Sequence, residues 1–131
     1  MDLLDTSALL TLRDDEAGAD DVAARLDAGS RSGIPCRICF ISLMELYDRV
    51  WQDEGRTQGR LAYEQCQSLP LIVVHEDAAL LEKAAEIKAT HRLSVADAWI
   101  AASAILLRAT LVHKDPEFEP LEIPQHRLPY K

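Results

Sequence analysis

Residues 94–118 read SVADAWIAASAILLRATLVHKDPEF, and this stretch decides the fold. Its first part, 94–109, is apolar on almost every face and predicts a helix that is buried on most sides. The next four residues, TLVH at 110–113, predict a strand, and an acid, Asp115, lies two positions beyond it. A helix that leads directly into a strand is typical of a parallel sheet covered by helices.

Short apolar runs alternate with helical patterns through the rest of the chain. Apolar runs predict three further strands and a short edge strand at 2–5, 37–41, 71–74 and 121–123. Helical spacing predicts five further helices at about 7–12, 19–28, 42–53, 57–68 and 77–91. Thr6 or Ser7 is predicted to cap the first helix, and a turn is predicted at 29–33. We therefore expect a single α/β domain over 1–131, with a parallel sheet of four to five strands and helices on both faces.

The composition is that of a folded, acidic protein. Hydrophobic residues make up 48% of the 131 residues, and the formal net charge is −8. This charge disfavours non-specific binding to nucleic acid, because phosphate contacts need Lys and Arg. The N-terminus lacks the positive region of a signal peptide, and the longest apolar run, 98–107, is too short to span a bilayer. We expect a cytoplasmic protein without a membrane anchor.

The three cysteines do not make a complete disulfide framework. Cys36 and Cys39 form a C-x-x-C pattern, but a structural zinc site needs a second pair and only Cys66 remains. Cys39 also falls in a strand-like run, whereas a thioredoxin-like motif opens a helix. We interpret the cysteines as small buried residues.

Four acids fall near the ends of the apolar segments. Asp5 ends the first predicted strand, Glu45 lies four residues after the second, and Asp115 follows the fourth. Asp97 lies in the first turn of the apolar helix. Because the carboxyl ends of parallel strands lie at one edge of the sheet, where α/β proteins bind ligands, we expect Asp5, Glu45 and Asp115 to converge there, joined by Asp97 if its helix begins at that edge.

Each acid also has a structural explanation. SLME at 42–45 and SVAD at 94–97 match a helix-capping pattern in which the acid is favoured by the helix dipole. Asp5 is placed to cap the first helix, and Asp115 before Pro116 is placed to start a turn. Capping and function are compatible, because a capped N-terminus fixes the direction of a carboxylate. The coincidence of four acids at one edge favours a site.

A cluster of carboxylates needs a counter-charge, because mutual repulsion otherwise raises the pKa values of the group. Mg²⁺ and Mn²⁺ take oxygen ligands, and Mg²⁺ keeps water and substrate phosphates in its coordination shell. Such a site supports the attack of a metal-activated water on a phosphodiester.

Three segments of the chain resemble the PIN domain family, and in particular the VapC-type toxin nucleases of toxin–antitoxin modules. The segments are LDTSALL at 4–10, ISLMELYDRV at 41–50 and the stretch 94–118, and the resemblance covers nearly the whole chain. The resemblance implies a metal-dependent endoribonuclease that uses Mg²⁺ or Mn²⁺. It also implies a homodimer, a cognate antitoxin partner and a structured RNA substrate such as tRNA or rRNA.

The resemblance implies four catalytic residues: Asp5, Glu45, Asp97 and Asp115. The three aspartates are implied as metal ligands, and Glu45 is implied to act through a water. The hydroxyl side chains of Thr6 and Ser7 are implied to support the site.

His113 departs from the family pattern, because many relatives carry a small hydroxyl residue two positions before the last acid. One interpretation is a strand-end histidine with satisfied hydrogen bonds. The other is a contact to phosphate or metal, aided by Lys114. Glu117 is a further candidate for a water-mediated role.

Two other classes of function remain open. A magnesium-binding phosphotransfer protein of the receiver type needs an acidic pair after the first strand and a phosphoacceptor aspartate after the third. Here Thr6 follows Asp5, and the third strand ends in VVHED at 73–77. A haloacid-dehalogenase-type phosphatase needs D-x-D, and residue 7 is Ser. An inactive interaction module of the same fold is disfavoured by the four acids and left open by His113.

Overall fold

In a computed structural model, which describes residues 1–130, five parallel strands form one sheet. The strands are β1 (Asp2–Leu4), β2 (Cys36–Cys39), β3 (Leu71–Val74), β4 (Thr110–His113) and β5 (Gln125–Arg127). The strand order is β3-β2-β1-β4-β5, and every neighbouring pair is parallel. The carboxyl ends of all five strands therefore lie at the same edge, with β1 in the centre.

Six helices cover the sheet, and a 3₁₀ turn (Pro116–Phe118) follows β4. The helices are α1 (Thr6–Arg13), α2 (Ala19–Ser32), α3 (Phe40–Glu54), α4 (Arg56–Gln67), α5 (Ala78–Thr90) and α6 (Val95–Leu107). Within residues 1–130, no helix combines the length and the apolar character that crossing a membrane requires.

Alternating side chains on the central strands divide the core into two layers. Leu3 and Leu111 face one layer, which also holds the buried alanines of α6. Leu4 and Val112 face the other layer, which holds apolar side chains of α1 to α4. All four side chains have no exposed surface. The predicted α/β fold with a parallel sheet and helices on both faces is confirmed, with five strands.

The predicted strands at 71–74 and 110–113 match β3 and β4 residue for residue. The edge strand predicted at 121–123 is wrong, because β5 begins only at Gln125. Leu121 instead lies in the core. The pairing with β4 starts at Pro124, whose carbonyl oxygen accepts a hydrogen bond from the amide of Leu111. Proline has no amide hydrogen, so regular pairing begins after it.

The turn predicted at 29–33 is also wrong, because α2 continues to Ser32. Gly29 is needed for a close approach: a Cβ there would lie 2.9 Å from the carbonyl oxygen of Ile34. The helix ends at Gly33, whose φ of 77° is the left-handed conformation that favours glycine.

Of the predicted helix caps, Asp5 and Ser94 are confirmed, whereas Thr6, Ser7 and Ser42 do not cap a helix. The first helix is capped by Asp5 rather than by Thr6 or Ser7. Helix α3 begins at Phe40, two residues before the predicted cap Ser42. At the start of α6, the Ser94 hydroxyl accepts a hydrogen bond from the amide of residue 97.

Candidate active site

Asp5 occupies the carboxyl end of the central strand and is held by the start of α1. Its Oδ1 accepts a hydrogen bond from the amide of Ala8 at 2.8 Å, and the Ser7 hydroxyl lies 2.7 and 2.8 Å from the two carboxylate oxygens. The side chain is only 3% exposed. Burial raises the pKa of Asp5 to about 7, against the lowering effect of these hydrogen bonds, and the charges of Asp97 and Asp115 raise it further.

Ser7 connects the ends of β1 and β4. Its hydroxyl donates to Asp5 and accepts a hydrogen bond from the backbone amide of Lys114 at 2.8 Å. One hydroxyl proton and two lone pairs allow both bonds at once. The residue before Asp115 is therefore fixed relative to Asp5.

Thr6 connects the start of α1 to Glu45 on α3. The Thr6 hydroxyl donates to Glu45 Oε1 at 2.5 Å and lies 3.0 Å from the hydroxyl of Ser42, which is fully buried. Two adjacent hydroxyl residues thus hold two carboxylates that are forty positions apart in the sequence.

Asp97 and Asp115 form a close pair between α6 and the end of β4. Burial raises the pKa of Asp97, and the charge of Asp115 and a hydrogen bond between the two carboxyl groups raise it further. The charges of Glu45 and Glu117 act in the same direction. Two carboxyl groups this close favour a shared proton when no cation is present.

The backbone holds Asp115 at the start of the 3₁₀ turn. Its Oδ1 accepts a hydrogen bond from the amide of Glu117 at 3.0 Å, and its own amide donates to Nδ1 of His113 at 3.1 Å. His113 has no exposed surface. Burial also lowers the pKa of its imidazole. Both ring nitrogens of His113 lie within hydrogen-bonding distance of protein groups, and the phosphate or metal contact considered for it stays a prediction.

The side chain of Lys114 lies against the segment before α2, with its ammonium group 3.9 Å from Glu16 Oε1. Its ammonium group donates to the carbonyl oxygen of Ala17 at 2.9 Å, and the side chain is 7% exposed. The expected help from Lys114 in binding phosphate is not visible in this arrangement.

Oxygen donors dominate the site, and their chemistry fits a hard divalent cation. Within residues 1–130, no group of three or more His, Cys, Asp or Glu side chains is arranged closely enough to hold a metal ion. The neighbouring charges that shift the pKa values of Asp5 and Asp97 are nevertheless all carboxylates. A cation among them would relieve the repulsion, and we regard this donor set as suitable for Mg²⁺ or Mn²⁺.

Two contributors were not predicted from the sequence. Ser42 contacts Thr6, and Gln125 on β5 contacts His113 through Oε1 and Nε2 at 2.8 Å. Ser42 gave a signal that was interpreted as a helix cap. Gln125 gave none, because its partner lies on a neighbouring strand.

Comparison with protein families gives one match over almost the whole chain. The model of the PIN domain matches residues 3–123. A search of curated proteins gives no significant match.

Solved structures of similar fold come from toxin–antitoxin systems. VapBC2 from Rickettsia felis bound to a promoter DNA fragment has a TM-score of 0.78 and 18% identity, over 98% of this chain and 100% of that chain. DNA-bound VapBC from Salmonella typhimurium has a TM-score of 0.77 and 20% identity, over 96% of each chain. VapC20 from Mycobacterium tuberculosis, described as a sarcin-ricin loop cleaving toxin, has a TM-score of 0.71 and 18% identity, over 94% of this chain and 96% of that chain. These identities show a shared fold.

Proposed function

The chain belongs to the PIN domain family, and from this premise we propose that it is a metal-dependent endoribonuclease, the toxin of a toxin–antitoxin pair. One observation carries the proposal: Asp5, Glu45, Asp97 and Asp115 influence one another near the carboxyl edge of the sheet, and the largest charge effects on Asp5 and Asp97 come from other carboxylates. We call this group the carboxylate cluster, and its members are Asp5, Glu45, Asp97 and Asp115.

We propose that the three aspartates hold Mg²⁺ or Mn²⁺ and that Glu45 acts through a water. When bound, the cation would lower the pKa of a water and stabilise the charge that develops on the phosphodiester. Mg²⁺ retains waters and phosphate oxygens as ligands, so a few protein carboxylates suffice.

The protein's own groups set the directions of the carboxylates. Ser7 and the amide of Ala8 hold Asp5, and the Thr6 hydroxyl holds Glu45. Groups that are already oriented need no reorganisation when the substrate binds, which is the main source of electrostatic catalysis. Asp97 is carried by a helix that is buried on most sides, so its position is equally rigid.

The proposed partners follow from relatives of the same fold. Two of them are described as VapBC assemblies bound to DNA, and one as a toxin that cleaves the sarcin-ricin loop. We propose a cognate antitoxin, a homodimer and a structured RNA substrate such as tRNA or rRNA. Because the net charge is −8, recognition of RNA must rely on local groups rather than on the overall charge.

The test is cleavage of total RNA by the purified, antitoxin-free protein with Mn²⁺, Mg²⁺ or EDTA. We expect cutting with metal, no cutting with EDTA, and loss of cutting in Asp97→Asn. The matched control is Glu82→Gln, which makes the same carboxylate-to-amide change at an exposed position of α5. Cutting that survives EDTA or Asp97→Asn would contradict the proposal.

The alternatives predict other results. An inactive module would bind a partner but cut no RNA with either metal, including tRNA and rRNA tested separately. A receiver-type protein would become labelled by acetyl phosphate. The structure disfavours the receiver, because β3 is an edge strand and Asp77, which follows it, caps α5 with a hydrogen bond from Leu80.

A further inference from the structure

The buried side chain of His113 forms part of a chain of hydrogen bonds that ends at the carboxylate cluster. The ring has no exposed surface and packs against Phe118, with 5.3 Å between ring centroids. Both ring nitrogens have partners: Nδ1 lies 3.1 Å from the amide of Asp115, and Nε2 lies 2.8 Å from Gln125 Oε1. A buried imidazole with two polar partners is more than a space-filling group.

The partners determine the direction of every bond in this chain. The amide of Asp115 can only donate, so Nδ1 of His113 must accept and carry no hydrogen. The Gln125 amide nitrogen donates to the carbonyl oxygens of Phe118 and Leu121, both at 3.0 Å. Its Oε1 is therefore the atom that faces His113 and accepts from Nε2–H. The ring is fixed as the neutral Nε2–H tautomer.

We propose that His113 is a positioning residue for Asp115, and that Gln125 fixes the tautomer that this role requires. The proposal rests on the proposed nuclease function, because it assigns the support of one of its carboxylates. A small hydroxyl residue at this position would accept the same amide, since a side chain that accepts from the amide two residues later is an Asx- or ST-type turn. His113 replaces that short contact and adds a second one to the neighbouring strand.

The position of Asp115 needs support because Asp97 repels it. Three consecutive residues at the end of β4 are tied to different elements: the carbonyl oxygen of His113 to the amide of Leu128, the amide of Lys114 to Ser7, and the amide of Asp115 to the ring. Without the last bond, the backbone at Asp115 would lose one of the contacts that fix it, and the carboxylate would be held only by the amide of Glu117. Loss of such an outer contact typically costs about 10- to 100-fold in metal affinity or activity.

Three substitutions at one position separate hydrogen bonding from packing. His113→Asn keeps an acceptor at the place of Nδ1, His113→Gln keeps a donor at the place of Nε2, and His113→Leu keeps neither. We expect His113→Leu and His113→Gln to lower kcat and Mn²⁺ affinity by about 10-fold or more, with KM for an RNA oligonucleotide little changed. His113→Asn should restore most of both.

Nuclear magnetic resonance tests the positioning without any activity measurement. We expect the ¹⁵N shifts of the imidazole to report the Nε2–H tautomer, and hydrogen exchange at the amide of Asp115 to be slow. Exchange should accelerate in His113→Leu and His113→Gln but not in His113→Asn, and Gln125→Leu should weaken the tautomer preference. Thermal unfolding of each variant in EDTA separates these effects from general destabilisation.

The outcomes distinguish failure of the two proposals. An Nδ1–H tautomer, or His113→Asn as impaired as His113→Leu, would overturn the positioning role. If the wild-type protein binds no Mn²⁺ and cuts no RNA, the nuclease proposal fails, whereas the tautomer and exchange data still decide whether His113 holds Asp115. Wild-type kcat and metal affinity in His113→Leu would also overturn the role.

Discussion

Two groups of acids in this domain behave differently. In the carboxylate cluster, Asp5 is buried and the other three members are half-buried, and the largest charge effects on Asp5 and Asp97 come from other carboxylates. The second group, which we call the Arg25 cluster, consists of Asp2, Asp21, Arg25 and His126. There Arg25 lies 3.0 Å from both aspartates, and His126 lies 2.5 Å from Asp21.

The pKa directions follow this difference. Burial raises the pKa of Asp5, whereas hydrogen bonds from His126 and Arg25 outweigh the smaller burial of Asp21 and lower its pKa. An acid beside a cation is a structural ion pair. Buried acids that face each other are costly in a protein without a bound cation, and this cost is what makes such a cluster a candidate site.

The largest expected contrast comes from the same substitution in both clusters. Asp5→Asn should lower RNA cleavage by about 100-fold or more, because several kcal/mol of metal-assisted stabilisation depend on the carboxylate. The amide oxygen can still accept from Ala8, so the cap is kept. Asp21→Asn should leave cleavage unchanged. Initial rates with Mn²⁺ measure both, and equal losses in the two variants would mean that the comparison reports only stability.

Metal binding should stabilise one cluster and leave the other unaffected. At a Mn²⁺ concentration 100 times its Kd, ligand binding adds about 2.7 kcal/mol, or roughly 10 °C in Tm for a domain of this size. Asp97→Asn should abolish most of this shift, and Asp21→Asn should retain it. Differential scanning fluorimetry with Mn²⁺ and with EDTA measures the shift, and an Asp97→Asn protein that responds like the wild type would exclude Asp97 as a ligand.

In EDTA, the same substitution should change the stability of the protein in opposite directions in the two clusters. Asp97→Asn should raise the free energy of unfolding by on the order of 1 kcal/mol, and with it Tm, because it removes repulsion from Asp115. Asp21→Asn should lower Tm slightly, because it weakens the contacts with Arg25 and His126, and exposed ion pairs contribute little. Urea unfolding of the two variants and the wild type measures the direction of both changes in the free energy of unfolding. A loss of stability in Asp97→Asn would indicate that the carboxylate pair is favourable without metal.

The two clusters should also give opposite dependence of stability on pH. The pKa of Asp5 rises from 3.8 to about 7 on folding, so its folded form binds more protons, and its contribution in EDTA weakens as pH rises from about 4 to 7. The pKa of Asp21 is lowered, so its contribution is present above the unfolded pKa and is lost as pH falls below it. The free energy of unfolding of the wild type, of Asp5→Asn and of Asp21→Asn is measured at pH 3 to 7. The difference between the wild type and each variant isolates the pH dependence that each aspartate contributes. Parallel slopes in both pairs would contradict the assignment.

Large exposed apolar side chains mark a third kind of surface, on α3 and α4. Trp51 is 45% exposed, and its ring lies beside the ring of Tyr47 and the guanidinium of Arg56. Trp99, by contrast, packs against Phe40 at 5.1 Å as expected. Whether an apolar side chain on α3 is exposed depends on which face of the helix meets the sheet. Helical spacing alone does not identify that face.

The architecture and the choice of candidate residues were predictable from the amino-acid pattern alone. Apolar runs of strand length and an almost entirely apolar helix require burial on both sides, and a parallel sheet with helices on both faces provides it. Acids directly after such strands must lie at one edge, so Asp5 and Asp115 could be named before any coordinates. The cap of α6 was also predictable, because the whole capping pattern, SVAD at 94–97, lies within four adjacent residues.

Only the tertiary structure decided how the acids are held. Ser7 reaches Lys114, Thr6 reaches Glu45, and Gln125 reaches His113 across gaps of 12 to 107 positions. No local pattern specifies such bonds, because each depends on where a distant element is placed by packing. The role of His113 belongs to this class: the sequence showed that it departs from the family pattern, and the neighbouring strand supplied the partner that gives it a single tautomer.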